Sequence, residues 1–239
     1  MSVSVATYNV HRCIGSDGHR DTARVLAVLR ELDADVVALQ ELEWHTETER
    51  DVLASFAGAL QSVGIPGPTV PLPGGHYGNA LLTRLPVRDI RHIDLSVSGR
   101  EQRSALDVTV EASDGALRVV ATHLGLAPME RRHQIRRILA MLPKSRHEPL
   151  VLMGDLNEWF LWGRPLRWLQ AHFGKMPAPA TFPSRFPIMA LDRIWVQPVA
   201  LRGGAVAHSS SIARQASDHL PLRMSLGGKA PTPRTVPEP

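Results

Sequence analysis

Residues 150–159 read LVLMGDLNEW, four apolar positions that run straight into Gly154, Asp155, Leu156, Asn157 and Glu158. Two carboxylates and an amide within four positions can serve a turn or a metal. The same kind of ending recurs along the chain. Tyr8-Asn9 closes SVATYNV (4–10), Gln40-Glu41 closes DVVALQEL (35–42), and Thr122-His123 closes LRVVATHL (117–124). Asp192 sits in LDRIWV (191–196), and Ser217-Asp218-His219 leads into LPLRMSL (220–226). Polar groups at the ends of apolar strands tend to meet on one sheet edge, where rigid supports hold a constellation. Meeting there, Glu41, Asp155, Asp192 and Asp218 would join the amides Asn9 and Asn157 and the imidazoles His123 and His219. That set is rich in oxygen and has no thiolate. It suits a hard divalent cation, magnesium (Mg2+) or manganese (Mn2+), better than structural zinc. Without a cation, so many carboxylates would raise one another's pKa values.

The elements that must position these residues alternate. The five segments above, LVLMGDL (150–156), NALLTR (79–84) and ALDVTVE (105–111) have strand patterns. Between several of them lie helical patterns. Val25, Val28, Leu29 and Leu32 share one face, as do Leu53, Phe56, Ala57 and Leu60, and again Ile135, Ile138, Leu139 and Leu142. Asp21 is a suitable N-cap for the first helix. ASDG (112–115) marks an antiparallel hairpin. Mixed sheets covered by helices are expected, in one α/β domain.

The length of 239 residues allows that domain over 1–226, followed by a Pro-rich tail, GGKAPTPRTVPEP (227–239), expected to be disordered. A charged fraction of 21% and an apolar fraction of 44% fit a globular protein. No apolar run is long enough to span a bilayer, and no signal-peptide pattern opens the chain. One cysteine, Cys13, fits a reducing compartment, so the cytoplasm is expected, and separately a monomer. A net charge of +4 favours an anionic partner only slightly.

TYNV (7–10), ALQE (38–41), YGNALLTR (77–84), THLG (122–125), GDLN (154–157), LDRIWV (191–196) and SDHLP (217–221) occur in this order. Together the seven stretches resemble the endonuclease/exonuclease/phosphatase superfamily, over about residues 3 to 226. The resemblance implies a DNase I-like four-layer α/β sandwich, two central mixed β-sheets flanked by helices. It implies a metal-dependent phosphoester hydrolase, most simply a phosphodiesterase of the endonuclease/exonuclease type. Glu41 resembles the principal metal-binding glutamate, with Asn9 and Asp218 assisting. Asp155 and Asn157 resemble the residues that activate and orient the attacking water. His219 would face the scissile phosphate, oriented by Asp192, and His123 would contact phosphate. By the same resemblance Arg103 is a substrate-side arginine, and Asn79 and Tyr77 could line the cleft. Whether Asp155 or His219 is the base stays open, with Asp155 favoured.

Other features have simpler readings. Arg131, Arg132, Arg136 and Arg137 read as a solvated helix face, and Trp159, Trp162 and Trp168 as core packing, with a stacking or lipid-contacting rim as the rival. Glu158 reads as a turn cap and bystander, while His11 and Cys13 lie near the site without a role. VHRCIG after Asn9 departs from the pattern of abasic-site endonucleases. The substrate is left between nucleic acid and a phospholipid or other small phosphodiester, and a catalytically inert binding module is the remote alternative.

Overall fold

A computed structural model describes residues 2–45, 51–143, 145 and 147–227. The expected tail from residue 228 onward lies outside the described residues. Two sheets form the centre. The first has six strands in the order β10 (Ala205–Ala207), β11 (Leu222–Leu226), β1 (Val3–Asn9), β2 (Val36–His45), β4 (Gly75–Thr83) and β3 (Val63–Leu72). The second has five, β5 (Val87–Asp94), β6 (Ser104–Ala112), β7 (Gly115–His123), β8 (Leu150–Asp155) and β9 (Asp192–Gln197). β1 and β2 pair parallel, as do β7 and β8, and the remaining neighbours pair antiparallel. Both sheets are therefore mixed.

The sheets pack face to face over Val5, Val36, Ala38, Leu81, Leu106, Val119, Val151, Met153, Ile194 and Met224, all buried. Each side chain of this size removed from water contributes about 1.5–3 kcal/mol. The outer face of the first sheet is covered by α1 (Thr22–Leu32), α2 (Val52–Ala59) and the short α5 (Ala213–Ala216). α3 (Pro128–Met141) and α4 (Arg164–Phe173) cover the second sheet through Ile135, Ile138, Leu166 and Leu169. Helix, sheet, sheet and helix make the four expected layers. Asp21 caps α1, its carboxylate accepting from the amides of Ala23 and Arg24. Residues 112–115 form the hairpin turn between β6 and β7. Among the described residues no helix is long and apolar enough to cross a membrane.

Several elements depart from the sequence reading. β3 reads VGIPGPTVPL, and its prolines and glycines mask a strand. It survives because it lies at a sheet edge, where missing amide donors are tolerated. β5 (VRDIRHID) is the edge of the other sheet and largely exposed, so it lacks an apolar signature. β2 does not end at Glu41 but continues to His45, with its pairing to β4 shifted between Leu39 and Leu42.

Three side-chain readings are corrected. Arg131 is not solvated: it is buried and forms a two-pronged ion pair with Glu158, Nε to Oε2 at 3.3 Å and Nη2 to Oε1 at 3.2 Å. Glu158 is therefore more than a turn cap, since it ties the chain after β8 to α3. Trp159 and Trp162 are not core residues but stand 41% and 73% exposed. Trp168 is half-buried, with the Arg136 guanidinium 4.7 Å above its ring.

Candidate active site

The parallel pairings bring strand ends together. Asn9 and Gln40 are register partners at the ends of β1 and β2, and His123 and Asp155 at the ends of β7 and β8. Asp155 also faces Asp192, the first residue of β9. The two ends meet across the sandwich, where Asn9 Nδ2 donates to Asp155 Oδ2 at 3.1 Å and to Glu41 Oε1 at 3.0 Å. The cleft over this edge encloses about 530 Å³ and is lined by Glu41, Asp155, Asn157, Asp218, His219, His123 and Arg103 among others.

The backbone around the cleft is unusual. His11, Arg12, Cys13, Glu41 and Asn157 all have positive φ, between 45° and 59°. Side chains with a Cβ rarely adopt this conformation, and it concentrates where the fold holds functional groups in place. At Glu41 it coincides with the shifted pairing of β2, which takes the residue out of the ladder. At 11–13 it turns the chain so that the His11 amide donates to Asn9 Oδ1 at 3.0 Å. Asn9 thus meets Glu41 and Asp155 through its nitrogen, which suits a residue that fixes the carboxylates better than one that ligates a cation directly. Gly154, at φ 147°, is needed for contact: a Cβ there would sit 1.8 Å from the Thr122 carbonyl oxygen.

His219 lies between two carboxylates. Its Nδ1 donates to Asp192 Oδ2 at 2.8 Å, and its Nε2 stands 3.7 Å from Asp155 Oδ2. Thr181 Oγ1 donates to the same Asp192 oxygen at 2.6 Å. Burial disfavours the charged ring, but the charges of Asp192 and Asp155 outweigh it and push the imidazolium up to about 10. His123 is the opposite case. Burial foremost, then the Arg103 charge, pull it down to about 3. Arg103 Nη1, an obligate donor, lies 3.2 Å from Nδ1, so Nδ1 is the accepting nitrogen and Nε2, 3.0 Å from Asn157 Nδ2, carries the ring proton. Asn157 also donates from Nδ2 to the Leu124 carbonyl at 2.9 Å, and its own amide donates to Asp155 Oδ1 at 2.8 Å.

Arg103 is buried at the cleft wall, ion-paired with Glu101 at 3.1 Å, and its Nε has no partner. Tyr77 lines the cleft beneath the Arg12 guanidinium, 4.9 Å from the ring centre. Asn79 is placed elsewhere: it is buried between the sheets and donates to the Ser104 carbonyl at 2.9 Å. Its position in YGNALLTR gave no hint of which face of β4 it takes. His11 and Arg12 line the cleft and were not assigned a role from sequence, because the left-handed turn that points them there has no residue-type signature.

Asp155, Asp192 and His219 offer ligand atoms within 4.8 Å of one another. His219 Nδ1 is already taken by Asp192 at 2.8 Å, so these three also read as a hydrogen-bonded Asp192–His219 pair standing beside Asp155. The oxygen donors left for a cation are Glu41 and Asp218, on the open side of the cleft, with Asp155 beside them. Counting the lining residues and Asp192 behind them, five carboxylates face three cations, Arg12, Arg103 and His219. That surplus of two negative charges fits a divalent cation on oxygen ligands.

Residues 6–219 match the endonuclease/exonuclease/phosphatase family. The chain belongs to that family. It is 31% identical over 244 residues to the uncharacterized protein YbhP of Escherichia coli K12, covering 93% of this chain and 95% of that one. Its fold is similar to an endonuclease/exonuclease/phosphatase from Beutenbergia cavernae, with a TM-score of 0.76 and 24% identity, over 94% of this chain and 71% of that one. It is also similar to a mannosyl-6-phosphatase from Bacteroides thetaiotaomicron, with a TM-score of 0.69 and 17% identity, over 94% of this chain and 98% of that one. Family members are mostly hydrolases of phosphoester bonds, and the family generally uses divalent metals.

Proposed function

We propose that the protein is a magnesium- or manganese-dependent phosphoester hydrolase, most simply a phosphodiesterase, that attacks phosphorus in line with an activated water. The observation that carries this reading is the joining of Asp155, Asn9 and Glu41 across the two sheets, with the Asp192–His219 pair directly behind Asp155.

Glu41 and Asp218 would hold the cation, with Asn9 fixing Glu41. The cation would polarise a phosphoryl oxygen and neutralise charge on the leaving oxygen. Asp155 is the favoured base, because the Nδ1 of His219 is bonded to Asp192 and its ring is placed to carry positive charge toward the phosphate. Asp155 Oδ1 is held by the Asn157 amide, and Oδ2 takes the proton of the attacking water. Asn157 Nδ2 is turned to the Leu124 carbonyl, so its own carbonyl oxygen is the atom that orients that water. His219, locked by Asp192, turns its Nε2 proton to charge developing on the phosphoryl oxygens. Arg103, on the cleft wall, would contribute its guanidinium to binding phosphate oxygens, and His123, accepting at Nδ1, holds that guanidinium in place.

A substrate panel tests the reading. With Mg2+ or Mn2+ present, bis-p-nitrophenyl phosphate is expected to turn over faster than p-nitrophenyl phosphate. Preference for the monoester would reassign the protein as a phosphatase on the same site. Turnover of neither, with no divalent binding by calorimetry, would favour an inert binding module.

A further inference from the structure

Among the described residues, twelve large hydrophobic side chains are exposed, and eight of them lie in three segments at the mouth of the cleft. Leu126 lies in the turn into α3 and Met129 in the first turn of that helix. Trp159, Phe160, Leu161 and Trp162 follow β8. Phe186 and Ile188 form the tip of the loop before β9, both nearly four-fifths exposed. The segments are physically joined. Arg131 donates to the Leu126 carbonyl and pairs with Glu158, and Trp159 packs edge-on against Phe182 at 5.7 Å. Phe182 in turn lies 4.9 Å from the His219 ring, so one aromatic wall runs from the rim to the Asp192–His219 pair.

The three apolar segments carry exposed charge of one sign, with half-exposed Glu101 beside Leu126 as the acidic neighbour. Residues 124–143 and 156–191 contain only two acidic side chains, Glu130 and Glu158, and both are buried. The exposed charged side chains there are basic, including Arg164 and Arg167 just after Trp162 and Arg185 beside Phe186. Soluble proteins rarely expose that much clustered apolar surface without a use. Aromatic and aliphatic tips backed by arginines match an interface with apolar chains below and anionic headgroups above.

We propose that this rim docks the protein on an anionic lipid surface, with the tips of the 159–162 and 183–188 loops inserted and the cleft opening toward the headgroups. A nucleic acid would engage the arginines but leave Leu161, Phe186 and Ile188 in water. The proposal rests on the surface alone and is independent of the catalytic reading.

Co-sedimentation with large unilamellar vesicles, carried out in EDTA, tests it without reference to activity. Full-length protein is expected to partition onto phosphatidylcholine–phosphatidylglycerol vesicles, with a blue-shifted tryptophan emission, and weakly onto phosphatidylcholine alone. Leu161→Ser with Trp162→Ser, and separately Phe186→Ser with Ile188→Ser, are expected to weaken partitioning about ten-fold or more. Arg164→Glu with Arg167→Glu should abolish the preference for the anionic vesicles. All these residues lie outside the reacting groups, so unchanged melting curves and unchanged hydrolysis of a soluble phosphoester would establish that the variants are folded. Partitioning equal to wild type in both apolar variants, no binding to either vesicle, or self-association or oligonucleotide binding through these loops without vesicle binding would each overturn the proposal.

Discussion

His219 and His123 lie in one cleft with opposed protonation: burial disfavours charge on both rings, and only at His219 do the neighbouring carboxylates overcome it. Both rings stand within 3.7 Å of Asp155, but His219 adds a hydrogen bond to Asp192, whereas His123 faces the Arg103 charge. A raised imidazole pKa stabilises the fold fully below its ordinary 6.5 and loses that contribution as pH climbs toward about 10. A depressed one acts in reverse, so His123 costs stability as pH falls from 6.5 toward about 3. Imidazole NMR on metal-free protein should therefore show one ring charged through neutral pH and one neutral well into acid. Titration of both near 6.5 would refute the two environments. For catalysis, His219→Ala is expected to lower kcat about a hundred- to ten-thousand-fold. Arg103→Lys should chiefly raise KM, about ten-fold, because an ammonium cannot bind two phosphate oxygens; steady-state kinetics that left KM unchanged would remove Arg103 from the substrate. The residue types of this site were legible, since carboxylates and imidazoles at strand ends announce themselves. The roles of Asn9's nitrogen and of the 11–13 turn were not, because they depend on side-chain orientation and backbone sign.

At the scale of elements, the strand ends are held by contacts that composition does not reveal. Gly154 passes so close to Thr122 that a methyl group cannot fit. Gly154→Ala should destabilise by about 2–4 kcal/mol in urea unfolding, and a change within about 0.5 kcal/mol would contradict the close approach. The Arg131–Glu158 pair makes a second prediction. Arg131→Met strands a buried carboxylate and should cost about 3–5 kcal/mol, much of it restored by adding Glu158→Leu. A single-variant cost below about 1 kcal/mol would mean the pair is wet. α1 was readable from its apolar face and its Asp21 cap, and the 112–115 hairpin from its turn residues. β3 and β5 were not, because edge strands tolerate the prolines and charges that central strands exclude. Arg131 looked solvated for a related reason: a run of arginines says nothing about which one turns inward to meet a glutamate far along the chain.

For the whole molecule, a four-layer sandwich brings acidic groups from both sheets into one cleft, with a surplus of negative charge that a divalent cation would relieve. Metal-free protein should gain thermal stability on adding Mg2+ or Mn2+. At a hundred-fold excess over Kd the gain is about 2.7 kcal/mol, which for a domain of this size is a rise of roughly 5–10 °C. Glu41→Gln and Asp218→Asn should each remove most of that rise, and a full rise in both would displace the cation from the proposed position. The most direct test of the central claim is hydrolysis of bis-p-nitrophenyl phosphate by protein stripped with EDTA and then resupplied with Mg2+ or Mn2+, beside Asp155→Asn treated identically. The account predicts no turnover in EDTA, recovery on adding metal, and a variant that binds metal yet stays at least about a hundred-fold slower. Undiminished turnover in EDTA, or an Asp155→Asn enzyme as fast as wild type, would contradict it.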